Sequence, residues 1–295
     1  MSTTDVAPSP AFVGGSGRSG TTVVGHLLGN HSQYAHPPYE VKFHTDPAAG
    51  LPGLLSGSTT VEAFLERMRT FWFRRLAPDG KEYGLFRSTS REDLERALRV
   101  FAKAFERAPI GASRALVHSI VDPVARTEGK VSWVDTTPST ISCATTLSRI
   151  FPGARFVHMV RDGRDVASSV ARRAWGPASF GEGLEWWAEL LRVAELQTRA
   201  VGPEKVLVLR FEELADRSRE ASYGRLLDFL ALDDEPAMRE YFERRLTPAR
   251  ANLGRWHELE PADRELADRR YPELLEILRS EGITCAPSPS RELGG

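Results

Sequence analysis

The sequence predicts an α/β fold, a parallel β-sheet flanked by helices on both faces with a helical insertion, and three observations carry that prediction. Short and largely apolar runs recur at Ala11-Phe12-Val13, Val131-Ser132-Trp133-Val134, Arg155-Phe156-Val157-His158-Met159-Val160 and Val206-Leu207-Val208-Leu209, the pattern of strands buried on both sides. Segments with apolar residues three or four apart separate these runs, as crossover helices require. The first run also ends in a glycine-rich turn that opens onto a helical pattern, the strand–turn–helix unit of a P-loop-type sheet.

In chain order, residues 1–10 are rich in Ser, Thr and Pro and read as a disordered leader. Ala11-Phe12-Val13 is the first strand. Residues 21–30 carry Val23, Val24, Leu27 and Leu28 at helical spacing. From His31 to about Gly57 no periodicity is sustained, and the segment reads as loop beside the site. An acceptor-side helical insertion follows over about 58–128. Its three helical patterns are Phe64-Leu65-Met68-Phe71-Trp72, Leu94-Leu98-Phe101-Phe105, and residues 112–124. Beyond it, helices over 140–151, 163–173, 180–201, about 211–231 and 235–245 alternate with the remaining strands. The tail, 286–295, is Pro- and Ser-rich and reads as flexible, which leaves 11–285 as a single domain.

Composition narrows the function classes. Thirty-nine basic and forty acidic residues nearly cancel, so no global positive field exists for nucleic acid or an anionic membrane, and any anion site must be local. The two cysteines, Cys143 and Cys285, form neither a disulfide framework nor a metal-ligating pair, and read as inert buried filler. No apolar stretch of about eighteen residues and no signal-like leader occur. No membrane insertion and a cytoplasmic location are therefore expected.

The segment Gly14-Gly15-Ser16-Gly17-Arg18-Ser19-Gly20-Thr21-Thr22 joins the first strand to the first helix, where successive backbone amides and the helix dipole favour a phosphate. Gly15 and Gly20 have the spacing of the G-x-x-x-x-G-K-[ST] pattern. Thr21 stands where that pattern has the lysine that reaches the β- and γ-phosphates, so a triphosphate would lack its usual cation. The strong cation of the loop is Arg18, placed to meet the oxygen between a 5′-phosphate and its transferred group.

Arg18-Ser19-Gly20-Thr21-Thr22 resembles the 5′-phosphosulfate-binding loop, [KR]-S-G-T-T, of sulfotransferases dependent on 3′-phosphoadenosine-5′-phosphosulfate (PAPS). Arginine in its first position is similar to the bacterial and tyrosylprotein branches. A second segment, Arg161-Asp162-Gly163-Arg164-Asp165-Val166-Ala167-Ser168-Ser169, resembles the family's 3′-phosphate-binding segment, with Arg161 and Ser169 in its two ligand positions. An arginine at a strand's carboxyl end and a serine two helical turns on can converge on one phosphate; the alternative is that Arg161 only pairs with Asp165 in solvent.

What the resemblance implies is a donor site holding Gly17, Arg18, Ser19, Gly20, Thr21, Thr22, Arg161 and Ser169. Phe211 would lie beside the adenine and Arg255 in a loop closing over the 3′-phosphate. For Phe211 the alternative is core packing, and for Arg255 a solvated face. The product would be 3′-phosphoadenosine-5′-phosphate (PAP), and the scheme needs no metal. The acceptor hydroxyl must lose its proton. Glu40, in Pro37-Pro38-Tyr39-Glu40-Val41-Lys42, occupies a place that resembles the segment bearing the family's glutamate base. His36 and His44 are alternatives, as is a plain ion pair between Glu40 and Lys42.

One departure stands out. The family often has Lys-Thr-Pro before the helix preceding the 3′-phosphate strand, and this chain reads Asp135-Thr136-Thr137-Pro138, without the lysine. Arg18, Lys42 or the helix N-terminus would then carry more of the transition-state charge. The rival functions are a P-loop kinase-like phosphotransferase and a non-catalytic nucleotide-binding module. A small-molecule, carbohydrate or peptide hydroxyl is the implied acceptor; these motifs encode neither its identity nor the oligomeric state.

Overall fold

The first apolar run becomes β1 (Ala11–Gly15), buried along its whole length, because it lies at the centre of a five-stranded parallel sheet. The computed structural model describes residues 9–76 and 80–287. The first eight residues of the expected leader and the last eight of the expected tail lie outside the described residues. The other strands are β2 (Tyr34–Ala35), β3 (Arg75–Leu76), β4 (Glu82–Tyr83), β5 (Ser132–Asp135), β6 (Arg155–Val160) and β7 (Val206–Arg210). The sheet order is β2-β5-β1-β6-β7, and β3 and β4 form a separate antiparallel hairpin.

The helices are α1 (Thr21–Gly29), α2 (Leu51–Ser56), α3 (Val61–Arg67), α4 (Arg91–Phe105), α5 (Pro109–Thr127) and α6 (Ala144–Ile150), then α7 (Gly163–Val170), α8 (Phe180–Val201), α9 (Arg219–Leu230), α10 (Pro236–Arg245), α11 (Pro248–Ala251) and α12 (Pro261–Ser280). Alternate strand residues face opposite sides. Phe12 and Phe156 stack 5.3 Å apart and pack with the side chains of α4, α5 and α6. Val13, Val157 and Met159 face the other way, into side chains of α1, α9 and α10. Both faces of the sheet are thus covered, as the near-continuous apolar runs predict.

The segment between β2 and β5 is mostly helical, but two features there escape periodicity. β2 and the β3–β4 hairpin have strands of two residues each, too short for a period of two to be read. α12 was not anticipated. Its buried residues, Ala267, Tyr271, Leu274, Leu275 and Leu278, pack with the tryptophan side of α8. Among the described residues, no helix is long and apolar enough to cross a membrane.

His158, in the middle of β6, has both ring nitrogens buried and unpartnered among the described residues. Burial pushes its pKa down to about 4, with Glu195 pulling only weakly the other way. The unfolded chain, with an ordinary imidazole, binds this proton from about pH 6.5 downward, whereas the native state does not. Stability therefore falls as pH drops from about 6.5 toward 4, by about 2 kcal/mol at pH 5 for this group alone. Urea unfolding of His158→Leu should show a shallower loss between pH 7 and pH 5 than the parent; equal slopes would contradict this account.

Candidate functional site

Residues just past the carboxyl ends of four parallel strands converge on one cleft: Gly17 and Arg18 after β1, Thr136 and Thr137 after β5, Arg161 after β6, and Phe211 after β7. That end of a parallel sheet is where ligands of open α/β folds bind. The cleft measures about 1570 Å³. Eight basic side chains line it against three acidic ones, in a chain whose charges otherwise nearly cancel. Such a local excess favours an anionic ligand.

The glycine-rich loop is closed by Ser19, whose backbone N–H and Oγ both donate to the Ser16 carbonyl, at 3.2 and 2.6 Å. Its two neighbours are left-handed, Arg18 at φ 72° and Gly20 at φ 93°. For Arg18 this conformation costs about 1–2 kcal/mol. Gly20 is required on two counts, since a Cβ there would also stand 2.5 Å from the Phe211 ring. Gly20 begins α1 without any side-chain cap, and an uncapped helix start offers its first amides to an anion. Thr21 and Thr22 both line the cleft beside it.

The two motifs, far apart in sequence, meet in space. Arg161 Nη1 donates to the Arg18 carbonyl at 3.3 Å, and Arg18 Nε donates to Ser169 Oγ at 3.0 Å. Burial, then the charges of Arg173, Arg161 and Arg172, push the Arg18 guanidinium below its ordinary pKa. Arg161 pairs with Asp165 at 3.1 Å, but the pair is buried, with side chains 12% and 1% exposed. Arg161 Nη2 also donates to the Asn252 carbonyl at 2.6 Å, and Asp165 accepts from the amides of Gly254 (2.9 Å) and Trp256 (3.2 Å). The Arg161–Asp165 pair therefore pins the C-terminal loop over the cleft. Phe211 lies against Gly20 and beneath the Arg161 guanidinium, 5.1 Å from it.

Arg255 is not brought to the cleft. The left-handed Gly254 opens a 3-10 turn, Arg255–Glu258, in which Arg255 reaches back to Glu258 at 3.0 Å on a solvated face. Arg250, Ala251 and Asn252 of the same loop line the cleft instead. Arg172 and Arg173 also line it and were not singled out in the sequence. The helical pattern ran through them to Arg173, whereas α7 stops at Val170 and leaves both in the loop beyond. Adjacent arginines just past the Ser169 position were the signal available.

Across the cleft, Glu40 lines the wall and pairs with Lys42 at 3.0 Å, both about two-fifths exposed. His44 is fully buried, with Nε2 2.7 Å from the carboxylate of Asp135, and does not line the cleft. Asp135 also accepts from the backbone N–H and Oγ1 of Thr137, at 3.1 and 2.8 Å. Burial alone would raise its pKa; the hydrogen bonds from His44 and Thr137 outweigh that and hold it below the ordinary carboxylate value. His36 lines the cleft with Nε2 3.0 Å from Thr136 Oγ1. Burial, then the neighbouring His26, pushes His36 down to about 4, so its ring is neutral at pH 7.

The aromatic clusters split by helical geometry. Phe71 faces the cleft, while its neighbours Trp72 and Phe73 are buried. Trp187 and Leu191 are core, with Trp187 packed against the backbone of Gly163. Trp186 and Leu190, a residue before each, line the cleft. Steps of about 100° along a helix send adjacent side chains to different faces.

The sulfotransferase family model matches residues 10–236. Among solved structures, the chain is similar to the sulfotransferase domain from the curacin biosynthetic pathway, at 18% identity and a TM-score of 0.54 over 92% of this chain and 98% of that one. It is also similar to the sulfotransferase domain of the Synechococcus PCC 7002 olefin synthase, at 18% identity and 0.52 over 98% and 99%. Sulfotransferase STF1 from Mycobacterium tuberculosis H37Rv gives 16% identity and 0.51 over 91% and 76%. At such identities the structural likeness speaks to the fold.

Proposed function

The chain belongs to the sulfotransferase family, and from that premise we propose that it transfers a sulfuryl group from PAPS to an acceptor hydroxyl. One observation carries the reading: a single basic cleft holds both phosphate-binding motifs, joined by the contact between Arg161 and the Arg18 carbonyl. A nucleotide with a 5′-phosphosulfate and a 3′-phosphate carries an anion for each. The missing lysine at Thr21 argues against triphosphate chemistry. Glu40 on the same cleft as Arg18 favours an enzyme over a passive binding module.

In the proposed reaction the acceptor oxygen attacks sulfur in line. The new O–S bond forms as the bond from sulfur to the 5′-phosphate oxygen breaks, and PAP leaves with that electron pair. The acceptor proton passes to the Glu40 carboxylate. Arg18, Thr21, Thr22 and the loop amides stabilise charge on the departing phosphate. Gly17, Ser19 and Gly20 shape that loop, since the Ser19 hydroxyl is occupied in closing it. Arg161 and Ser169 orient the 3′-phosphate, with Phe211 beside the base. Arg250 replaces Arg255 as the cation offered by the C-terminal loop. Thr136, where the family often has lysine, is bonded to neutral His36 and supplies no charge.

Glu40→Gln should lower kcat by about 10²–10⁴-fold with PAP affinity unchanged. Single-turnover transfer from labelled PAPS measures it, and full turnover by Glu40→Gln would remove Glu40 as the base.

A further inference from the structure

We infer that the exposed apolar side chains lining the cleft form an acceptor subsite for an apolar hydroxyl compound, a phenol or fused-ring alcohol, in preference to a sugar. The inference rests on the donor reading above and adds the acceptor class to it. Seven large hydrophobic side chains are exposed among the described residues. Three of them, Phe71 (40%), Leu76 (71%) and Trp175 (63%), stand on this one cleft. Single exposed apolar residues need no explanation, but their concentration in one concavity marks a surface built for apolar contact.

Trp186 and Leu190, one turn apart on α8, line the same cleft. Trp175 and Trp186 stand beside the donor loop: a Cβ at Gly17 would stand 3.2 Å from the Trp175 ring and 3.6 Å from that of Trp186. Phe71 is held on its side by the Arg67 and Arg75 guanidiniums, 4.5 and 5.1 Å from its ring centre.

Three polar groups of the cleft are already engaged by neighbours. The Tyr39 hydroxyl is bonded to Ser88 at 2.5 Å, Ser139 to Thr45 at 2.9 Å, and Glu40 to Lys42. A sugar placed here would lose water from several hydroxyls with few partners to replace it, at a cost that an apolar ring avoids. The cleft as a whole, about 1570 Å³, exceeds the roughly 300–1,000 Å³ of a pocket for one small ligand, as a cleft shared by donor and acceptor requires.

The test has two stages. PAP is first titrated calorimetrically into the full chain. Turnover with PAPS is then compared for 2-naphthol and N-acetylglucosamine, in the parent and in Phe71→Ala and Leu76→Ser. The expected result is saturable turnover of 2-naphthol in preference to the sugar. Both variants should raise its KM about tenfold while leaving PAP affinity intact. PAP binding accompanied by preference for the sugar, by no turnover of 2-naphthol, or by a KM indifferent to both substitutions overturns the subsite. Failure to bind PAP at all overturns the donor reading, and the subsite with it.

Discussion

Arg161→Ala is expected to weaken PAP binding by about 10- to 150-fold and to destabilise the fold. One guanidinium serves two purposes here. It reaches the Arg18 carbonyl, Asp165 and the Asn252 carbonyl at once, so its loss would remove the proposed phosphate partner and also free the loop that Asp165 holds through Gly254 and Trp256. A desolvated charge-assisted contact to phosphate accounts for about 1.5–3 kcal/mol of affinity. Removing one member of a buried ion pair costs about 3–5 kcal/mol of stability. Calorimetry with PAP and urea unfolding read the two effects separately. Arg161→Lys should recover part of the stability but little of the affinity, because an ammonium cannot span three acceptors as the planar fork does. An unchanged PAP affinity in Arg161→Ala would contradict the assignment.

Arg18→Ala is expected to lower kcat/KM for PAPS by about 10²–10³-fold, the range seen when one preorganised donor to a developing anion is removed. Its left-handed backbone and its bond to Ser169 hold the guanidinium in the cleft, beside three other arginines whose charges disfavour it. An arriving dianion offsets that repulsion, so part of the affinity should be salt-sensitive and should lose sensitivity in the variant. Presteady-state transfer at two ionic strengths measures both. Wild-type turnover by Arg18→Ala would place the leaving-group charge elsewhere.

The sheet was legible because β1, β5 and β6 are buried almost throughout and announce themselves as apolar runs, and the part-buried edge strand β7 still reads Val-Leu-Val-Leu. The glycine-rich loop was legible as a strand-to-helix turn because Gly20 has a steric reason to be glycine. Less visible were contacts made by single turns. Whether an arginine of this segment faces the cleft, as Arg250 at the end of α11 does, or a neighbour, as Arg255 does, depends on the left-handed turns at Asn252 and Gly254 between them. His44 illustrates the same limit. Its spacing from Glu40 suited a base, but its burial against Asp135 across the sheet end is set by long-range packing that local pattern does not carry. The Trp186-Trp187 pair divides between cleft and core, and Phe71 is exposed on the cleft where Trp72 is buried at its edge, which requires knowing where the helix axis points.

The central claim is that one cleft reads two phosphates of the same adenosine, and calorimetry at fixed salt tests it most directly. PAP, adenosine 5′-phosphate, adenosine 3′-phosphate and magnesium ATP are titrated in turn. The account predicts that PAP binds at least about 100-fold tighter than either monophosphate, since each added phosphate brings charge-assisted contacts, and that magnesium ATP binds no better than adenosine 5′-phosphate. PAP binding no tighter than adenosine 5′-phosphate, or displaced by magnesium ATP, would contradict it.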